Sequence, residues 1–209
     1  WASMMSDFGV NVTVVEFAVT ILPTEDEGIA KEMQRLLKKK NVTVVTNAKL
    51  LPETLVKNGE QISINANIDG VEKTFSTEKM LVCVGRLANV EGIGLENTEI
   101  IIKSGYIETN KYYQTKESHI YAVGDCIGGL QLAHVASHEG ISAIEHIAGH
   151  GREGADHSSV PKCVYSNPEI ASIGLTEAQA RAKGYEVKIG KFPFKGIGKA
   201  LILGDSDGF

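Results

Sequence analysis

The stretch Thr115-Lys-Glu-Ser-His-Ile-Tyr-Ala-Val-Gly-Asp-Cys126 decides the interpretation of this 209-residue chain. Its apolar residues 120–123 predict a short strand that reaches Gly124 and stops at a single carboxylate, Asp125. A glycine lets the backbone approach a bulky ligand, and a carboxylate at a strand end can accept hydrogen bonds from polyol hydroxyls. An isolated Gly-Asp pair is also typical of an ordinary turn. The Thr ten residues before Asp125, with Tyr-Ala-Val between them, makes the pattern more specific and favours a ligand site.

Downstream, Gly128-Gly-Leu-Gln-Leu-Ala-His134 predicts a glycine loop that leads into a helix. The helix is expected over residues 134–148, with an apolar side formed by Ala136, Ile141, Ala143, Ile144 and Ile147. The N-terminus of a helix offers unpaired N–H groups and the positive end of the helix dipole. Since this junction follows Asp125 closely, it predicts a place for a ligand carbonyl or a phosphate beside that carboxylate.

The start of the chain shows a second ligand-binding pattern. Residues 1–8 predict a helix that ends at Gly9, and residues 12–16 predict a buried strand that closes on Glu16. Helix, glycine, strand and terminal acid make up the second half of a Rossmann dinucleotide unit. Glu16 is then expected to accept hydrogen bonds from the ribose hydroxyls of NAD and to repel a 2′-phosphate. The alternative is a solvated carboxylate at a strand end.

Further elements are predicted along the rest of the chain. They are a helix from the capping box Thr24-Glu-Asp-Glu27 to about residue 40, a strand at 42–46, an antiparallel meander with turns at Asn58-Gly59 and Asp69-Gly70, a strand at 80–84, strands at 162–165 and 170–174, a helix capped by Thr176-Glu-Ala-Gln179, and a strand at 185–192. The strand at 80–84 leads to Gly85, whose missing side chain would permit close approach of a ligand.

Composition excludes several classes of function. A net charge of −5 without a basic cluster argues against nucleic acid as the main partner. No apolar run reaches the length of a bilayer span. The histidine pairs 134/138 and 146/150 have no third ligand at a metal-binding spacing, so no metal is expected. Cys126 and Cys163 are interpreted as buried structural thiols.

Taken together, these stretches resemble the flavoprotein disulfide reductases (pyridine nucleotide-disulfide oxidoreductases, class I) and, among them, the dihydrolipoamide dehydrogenases. The resemblance covers the whole chain and includes the segments 8–16, 81–86, 115–126, 134–149 and 160–174. It implies an α/β fold, namely a partial FAD/NAD(P)-binding Rossmann-like two-dinucleotide fold followed by the start of an α+β dimerisation domain. The expected domains are the C-terminal part of the NAD-binding domain at 1–87, the second part of the FAD-binding domain at 88–158, and the beginning of the dimerisation domain at 159–209.

The resemblance also implies roles for particular residues. FAD contacts are expected at Asp125, Gln131, Leu132, Ala133 and His134, and NAD contacts at Glu16, Leu50 and Gly85. The family's redox-active Cys-x4-Cys pair has no counterpart at that spacing here, and its His-Glu acid-base pair is expected past Phe209. No catalytic residue is therefore predicted within the chain, which is interpreted as an internal fragment of a longer protein.

The implied activity is reoxidation of protein-bound dihydrolipoamide to lipoamide, through FAD and a disulfide, with NAD⁺ as acceptor. The implied partners are a second copy in a homodimer and the lipoyl-bearing and acyltransferase core subunits of 2-oxo acid dehydrogenase complexes or the glycine cleavage system. The implied location is the bacterial cytoplasm or the mitochondrial matrix. Two alternatives stay open: a related disulfide reductase of the mercuric or NADH-peroxide type, and a non-catalytic module for dimerisation and cofactor contacts.

Overall fold

The structure, a computed structural model, describes residues 1–151, 154 and 157–209. The chain divides into two compact units, the first formed by Trp1–Leu81 with Pro161–Phe209 and the second by Val82–Val160. The helices and strands in chain order are α1 (Ala2–Asp7), β1 (Thr13–Val15), α2 (Glu27–Lys39), β2 (Thr43–Val45), β3 (Ala48–Asn58), β4 (Gln61–Ile68), β5 (Val71–Thr77), β6 (Ile102–Lys103), β7 (Tyr106–Ile107), α3 (Ala133–Ile147), β8 (Lys162–Val164), β9 (Ile170–Ser172), α4 (Glu177–Ala182) and α5 (Gly198–Leu203).

The first unit contains a β-α-β arrangement built from β1, α2 and β2. The two valine-rich strands pair in parallel, with Thr13 opposite Thr43. Between them, α2 turns its buried side chains inward at helical spacing, and Met33 and Leu37 form a core with Ile21 and Val42. A parallel pair joined by a helix is the unit of an α/β fold, as the sequence predicts.

The predicted capping box at the start of α2 is wrong. Residues 22–25 form a turn that is closed by the Glu25 N–H donating to the Leu22 carbonyl at 3.0 Å. Thr24 lies inside that turn, so the helix begins two residues later than predicted. Asp26 is the N-cap, and its Oδ1 accepts from the Gly28 N–H at 2.9 Å. Its Oδ2 accepts from the Glu177 N–H at 3.1 Å, so one carboxylate serves the first turns of both α2 and α4.

The meander of the first unit is confirmed. Strands β3, β4 and β5 form an antiparallel sheet in that order, joined by turns at the two predicted sites. In the second turn Asp69 and Gly70 both have positive φ, 51° and 87°. Such turns match the twist of the paired strands, which explains the short connection.

The segment after residue 160 is partly as predicted. Strands β8 and β9 pair antiparallel, and the capping box of α4 is present, with Thr176 and Gln179 each accepting from the other's backbone N–H. The strand predicted at 185–192 is wrong. No described residue pairs with it, and Tyr185, Ile189 and Phe192 are exposed. A strand requires a hydrogen-bonded neighbour, which an apolar run alone does not supply.

The second unit has little regular sheet. Strands β6 and β7 pair antiparallel, and Val90, Ile107 and Ala122 form its core. The strands predicted at 80–84 and 120–123 are wrong: the former is unpaired among the described residues, and the latter makes only an isolated bridge between Tyr121 and Gln114.

Helix α3 lies where the sequence predicts it, but its predicted apolar side is only partly right, since Ala143 is buried and the three isoleucines are not. Its buried residues are Val135, Glu139 and Ala143, spaced four apart, whereas Ile141, Ile144 and Ile147 are exposed. Among the described residues, none of the helices combines the length and the apolar character that a membrane span requires.

The double role of Asp26 generates a stability prediction. Asp26→Ala removes the N-cap of α2 and the acceptor for α4, so we expect the free energy of unfolding to fall by about 1–2 kcal/mol. Thr24→Ala is the matched control, because the Thr24 side chain makes no hydrogen bond to a described residue and should change stability by less than about 0.5 kcal/mol. Urea denaturation of both variants tests this. An equal loss in the two variants would restore Thr24 as the cap.

Candidate functional site

Asp125 lies in a short 3₁₀ turn, Gly124–Ile127, rather than at the end of a strand. Its side chain is 53% exposed, and Oδ2 lies 3.3 Å from Nη1 of Arg86. An exposed ion pair of this kind contributes between nothing and about 1 kcal/mol to stability. Its main effect is therefore to orient the carboxylate.

Arg86 connects this turn to the loop before α3. Its Nη2 donates to the Gln131 carbonyl at 2.9 Å, while the Gln131 side-chain amide donates to the Asp125 carbonyl at 3.4 Å. Arg86, Asp125 and Gln131 are thus each joined to the other two and form one polar group in the second unit. Of these three residues, only Arg86 was not predicted as a site residue. Its position directly after Gly85, where the sequence predicts close approach of a ligand, was a usable signal.

The N-terminus of α3 lies beside this group. Leu132 is the N-cap and supplies no side-chain hydrogen bond, and Ala133 and His134 open the first turn. The first N–H groups of a helix have no partner within the helix and carry partial positive charge. The structure thus brings Asp125, Gln131, Leu132, Ala133 and His134 together around one turn and one helix start.

Glu139, on the next turn of α3, forms a hydrogen bond to the Asp125 turn from the buried side of the helix. Its side chain is 1% exposed, and its Oε2 accepts from the Gly124 N–H at 2.6 Å. Sequence reasoning missed this residue. No local pattern identifies it, because only the fold shows that Val135, Glu139 and Ala143 form the buried row of α3.

Glu16 and Leu50 lie in the first unit. Glu16 follows β1, is half-buried, and accepts at Oε1 from the Ala18 N–H at 2.7 Å. Its backbone carbonyl accepts from Ala48, the first residue of β3, and the half-buried Leu50 is two residues further along that strand. These two residues are therefore close along one edge of the first unit.

Gly85 belongs to the second unit. It has φ +118°, a conformation that favours glycine, and a Cβ added there would meet nothing within 4 Å. The chain itself thus leaves the space over this glycine open.

The cysteines differ in environment. Cys126 is half-buried in the Asp125 turn, where burial raises the pKa of its thiol. Cys163 is exposed, so its interpretation as a buried structural thiol is wrong; it occupies the outward-facing position of β8. Within the described chain no three His, Cys, Asp or Glu side chains are grouped to hold a metal ion.

The donor set of the second unit fits a dinucleotide cofactor. The Asp125 carboxylate is an acceptor suited to hydroxyl groups, and the start of α3, whose N-cap Leu132 supplies no side-chain hydrogen bond, is suited to a carbonyl or phosphate oxygen. In the first unit, Glu16 is a fixed acceptor at the end of a parallel strand, the position at which such folds bind a ribose.

Sequence comparison gives the class of protein to which this arrangement belongs. Residues 1–140 match the pyridine nucleotide-disulphide oxidoreductase family, and residues 160–209 match the dimerisation domain of that family. The chain therefore belongs to the pyridine nucleotide-disulphide oxidoreductases. The predicted fold class is confirmed, and FAD and NAD are confirmed as cofactors of the family.

Several similar proteins of this family are dihydrolipoyl dehydrogenases. The chain is similar to a dihydrolipoyl dehydrogenase of Bacillus subtilis, 63% identical over 209 residues, and to one of Mycobacterium tuberculosis, 40% identical over 208 residues. It spans 44% of the length of each, while the alignments cover 100% and 99% of this chain. Among solved structures it resembles the HOCl-induced flavoprotein disulfide reductase RclA of Escherichia coli, with a TM-score of 0.89 and 26% identity over 99% of this chain and 47% of RclA.

The boundaries of the three predicted domains and the roles of the individual site residues stay predictions.

The contrast between the thiols can be tested with iodoacetamide. At pH 8 we expect the exposed Cys83 and Cys163 to be alkylated first and Cys126 to react at least about tenfold more slowly. The reason is that a raised pKa leaves less thiolate at a given pH, and burial also restricts access. Mass spectrometry of peptides over time gives the three rates. Equal rates would contradict the partial burial of Cys126. Denaturation in urea, which should equalise the rates, is the control.

Proposed function

We propose that this chain is part of an NAD-dependent dihydrolipoyl dehydrogenase, the enzyme that reoxidises protein-bound dihydrolipoamide to lipoamide. The observation that carries the proposal is 63% identity to the Bacillus subtilis dihydrolipoyl dehydrogenase across all 209 residues. The polar group around Asp125 supports it independently, since it presents the acceptor and donors that a flavin dinucleotide needs.

In this proposal FAD is held in the second unit by Asp125, Gln131, Leu132, Ala133 and His134. Asp125 accepts hydrogen bonds from cofactor hydroxyls, with its carboxylate oriented by Arg86. The first turn of α3 stabilises negative charge on a cofactor oxygen through its N–H groups. When bound, FAD supplies the two-electron chemistry between a dithiol and a pyridine nucleotide.

NAD is assigned to Glu16, Leu50 and Gly85. Glu16 accepts from the ribose hydroxyls, and the Ala18 N–H holds one of its oxygens in place. Leu50 offers a half-buried apolar surface, and the open space over Gly85 admits a ligand close to the backbone. The redox disulfide and the acid-base pair are assigned to parts of the enzyme other than this chain, which contributes cofactor contacts.

A related disulfide reductase is the second candidate, favoured by the resemblance to RclA. The sequence identity to RclA is 26%, against 63% for the Bacillus enzyme. The resemblance to RclA is therefore better evidence for the fold of this chain than for its substrate. Mercuric and NADH-peroxide reductases fall under the same alternative. A purely non-catalytic module for dimerisation and cofactor contacts is less well supported, because the relative at 63% identity is a dihydrolipoyl dehydrogenase.

The match of residues 160–209 to the dimerisation domain supports a homodimer. Lipoyl-bearing and acyltransferase core subunits of 2-oxo acid dehydrogenase complexes or the glycine cleavage system are the proposed partners. The bacterial relatives support the cytoplasm as the location, with the mitochondrial matrix as the counterpart in eukaryotes.

The proposal is tested with protein expressed from the gene that encodes this segment. Incubation with dihydrolipoamide and NAD⁺ should yield lipoamide, NADH and a proton, followed at 340 nm. The 209-residue chain alone should give no turnover, since it has no Cys-x4-Cys pair. Oxidation of NADH or NADPH by glutathione disulfide, mercuric ion or peroxide, followed as loss of absorbance at 340 nm, would favour the second candidate. The absence of turnover with every couple would favour the non-catalytic module.

A double variant tests the assignment of Glu16. Glu16→Ala with Phe17→Arg, at a neighbouring exposed position, should shift the ratio of kcat/KM values for NAD⁺ over NADP⁺ by about tenfold or more towards NADP⁺. The physical reason is loss of the carboxylate that repels a 2′-phosphate and gain of a cation that pairs with it. Phe17→Arg alone is the control and should move the ratio less. An unchanged ratio in the double variant would remove Glu16 from the site.

A further inference from the structure

Glu139 is a buried acid that the proposed chemistry does not use. Its side chain is 1% exposed, and Val135 and Ala143, one turn away on either side along α3, are buried with it. Moving a carboxyl group out of water is unfavourable unless hydrogen bonds compensate.

The contacts of Glu139 are specific. Oε2 accepts from the Gly124 N–H at 2.6 Å, and Oε1 lies 3.5 Å from Nε2 of His157. The first contact reaches back fifteen residues along the chain, to the residue that opens the Asp125 turn.

Gly124 lies close against α3 because it has no side chain. It has φ +78°, and a Cβ added to it would lie 3.1 Å from the Cβ of Ala136, one turn before Glu139. Ala136 therefore limits the approach of the turn, and Glu139 supplies the hydrogen bond that retains it. Together they fix the backbone immediately before Asp125.

We infer that Glu139 is a positioning residue for FAD: through Gly124 it sets the direction of the Asp125 carboxylate without touching the cofactor. This inference rests on the proposed function, because it takes Asp125 as a cofactor contact. The adjacent Arg86 orients the carboxylate from the exposed side, and Glu139 holds its backbone from the buried side.

Three substitutions separate the acceptor from the charge. Glu139→Gln keeps a side-chain oxygen that can accept from Gly124, whereas Glu139→Asp keeps the carboxyl group but is one methylene shorter. Glu139→Ala removes both. In protein from the complete gene, we expect the dissociation constant of FAD to rise about tenfold for the Ala and Asp variants and less than about threefold for the Gln variant.

Two reference variants complete the series. Glu145 lies on the same helix, and its side chain makes no hydrogen bond to a described residue. The substitution Glu145→Ala should therefore leave the FAD dissociation constant unchanged. Asp125→Ala removes the carboxylate itself and gives the upper limit of the effect.

A second measurement does not depend on the cofactor. In FAD-free protein, hydrogen exchange of the peptide that contains Gly124 should be about tenfold faster in the Ala and Asp variants than in the wild type or the Gln variant. A purely structural role in packing α3 would instead speed exchange throughout that helix. The region around Ala143 is therefore the internal reference.

The outcomes are distinguishable. If wild-type protein binds no FAD, the proposed function fails, and hydrogen exchange at Gly124 still decides whether Glu139 holds the turn. If FAD binds and the Gln variant is as weak as the Ala variant, Glu139 acts through its charge and the inference is overturned. Equal FAD affinity in Glu139→Ala and Glu145→Ala would overturn it as well. Should Glu139→Ala fail to fold, the comparison of the Gln and Asp variants carries the test.

Discussion

The hydrogen bond between the buried Glu139 carboxyl group and the Gly124 N–H is the constraint on which the site in the second unit depends. It joins a helix to a turn that otherwise has little regular structure around it. A hydrogen bond is electrostatically stronger in the low dielectric of a protein interior than in water. Because the turn is fixed from inside the unit, its polar groups can remain exposed on the other side.

Asp125 and Glu139 show how one kind of side chain serves two purposes. Asp125 is half exposed and is paired only with an exposed arginine, so little desolvation has taken place and its oxygens can still accept from a ligand. Glu139 is removed from water and engaged by the backbone. The difference comes from environment, since both side chains end in a carboxyl group.

The first unit relies on a comparable carboxylate at Asp26. One oxygen caps α2, and the other accepts from the first residue of α4, so two helix starts from distant parts of the sequence share a single side chain. Helix starts leave N–H groups without internal partners, and a carboxylate satisfies them while also favouring the helix dipole. The segment after residue 160 is thereby joined to the β-α-β arrangement by polar contacts as well as by Ile170 against the core.

Local patterns in the sequence determined the features whose causes are local. The α2 periodicity, the Asp69-Gly70 turn, the Thr176 capping box and the acid at the end of β1 each depend on residues a few positions apart. Tertiary structure decided the rest. Whether residues 80–84 or 185–192 form strands depends on a hydrogen-bonded neighbour, and which face of α3 is buried depends on what packs there. The sequence alone placed isoleucines on the buried side of α3, whereas the fold buried Glu139 because the Gly124 N–H lies opposite it.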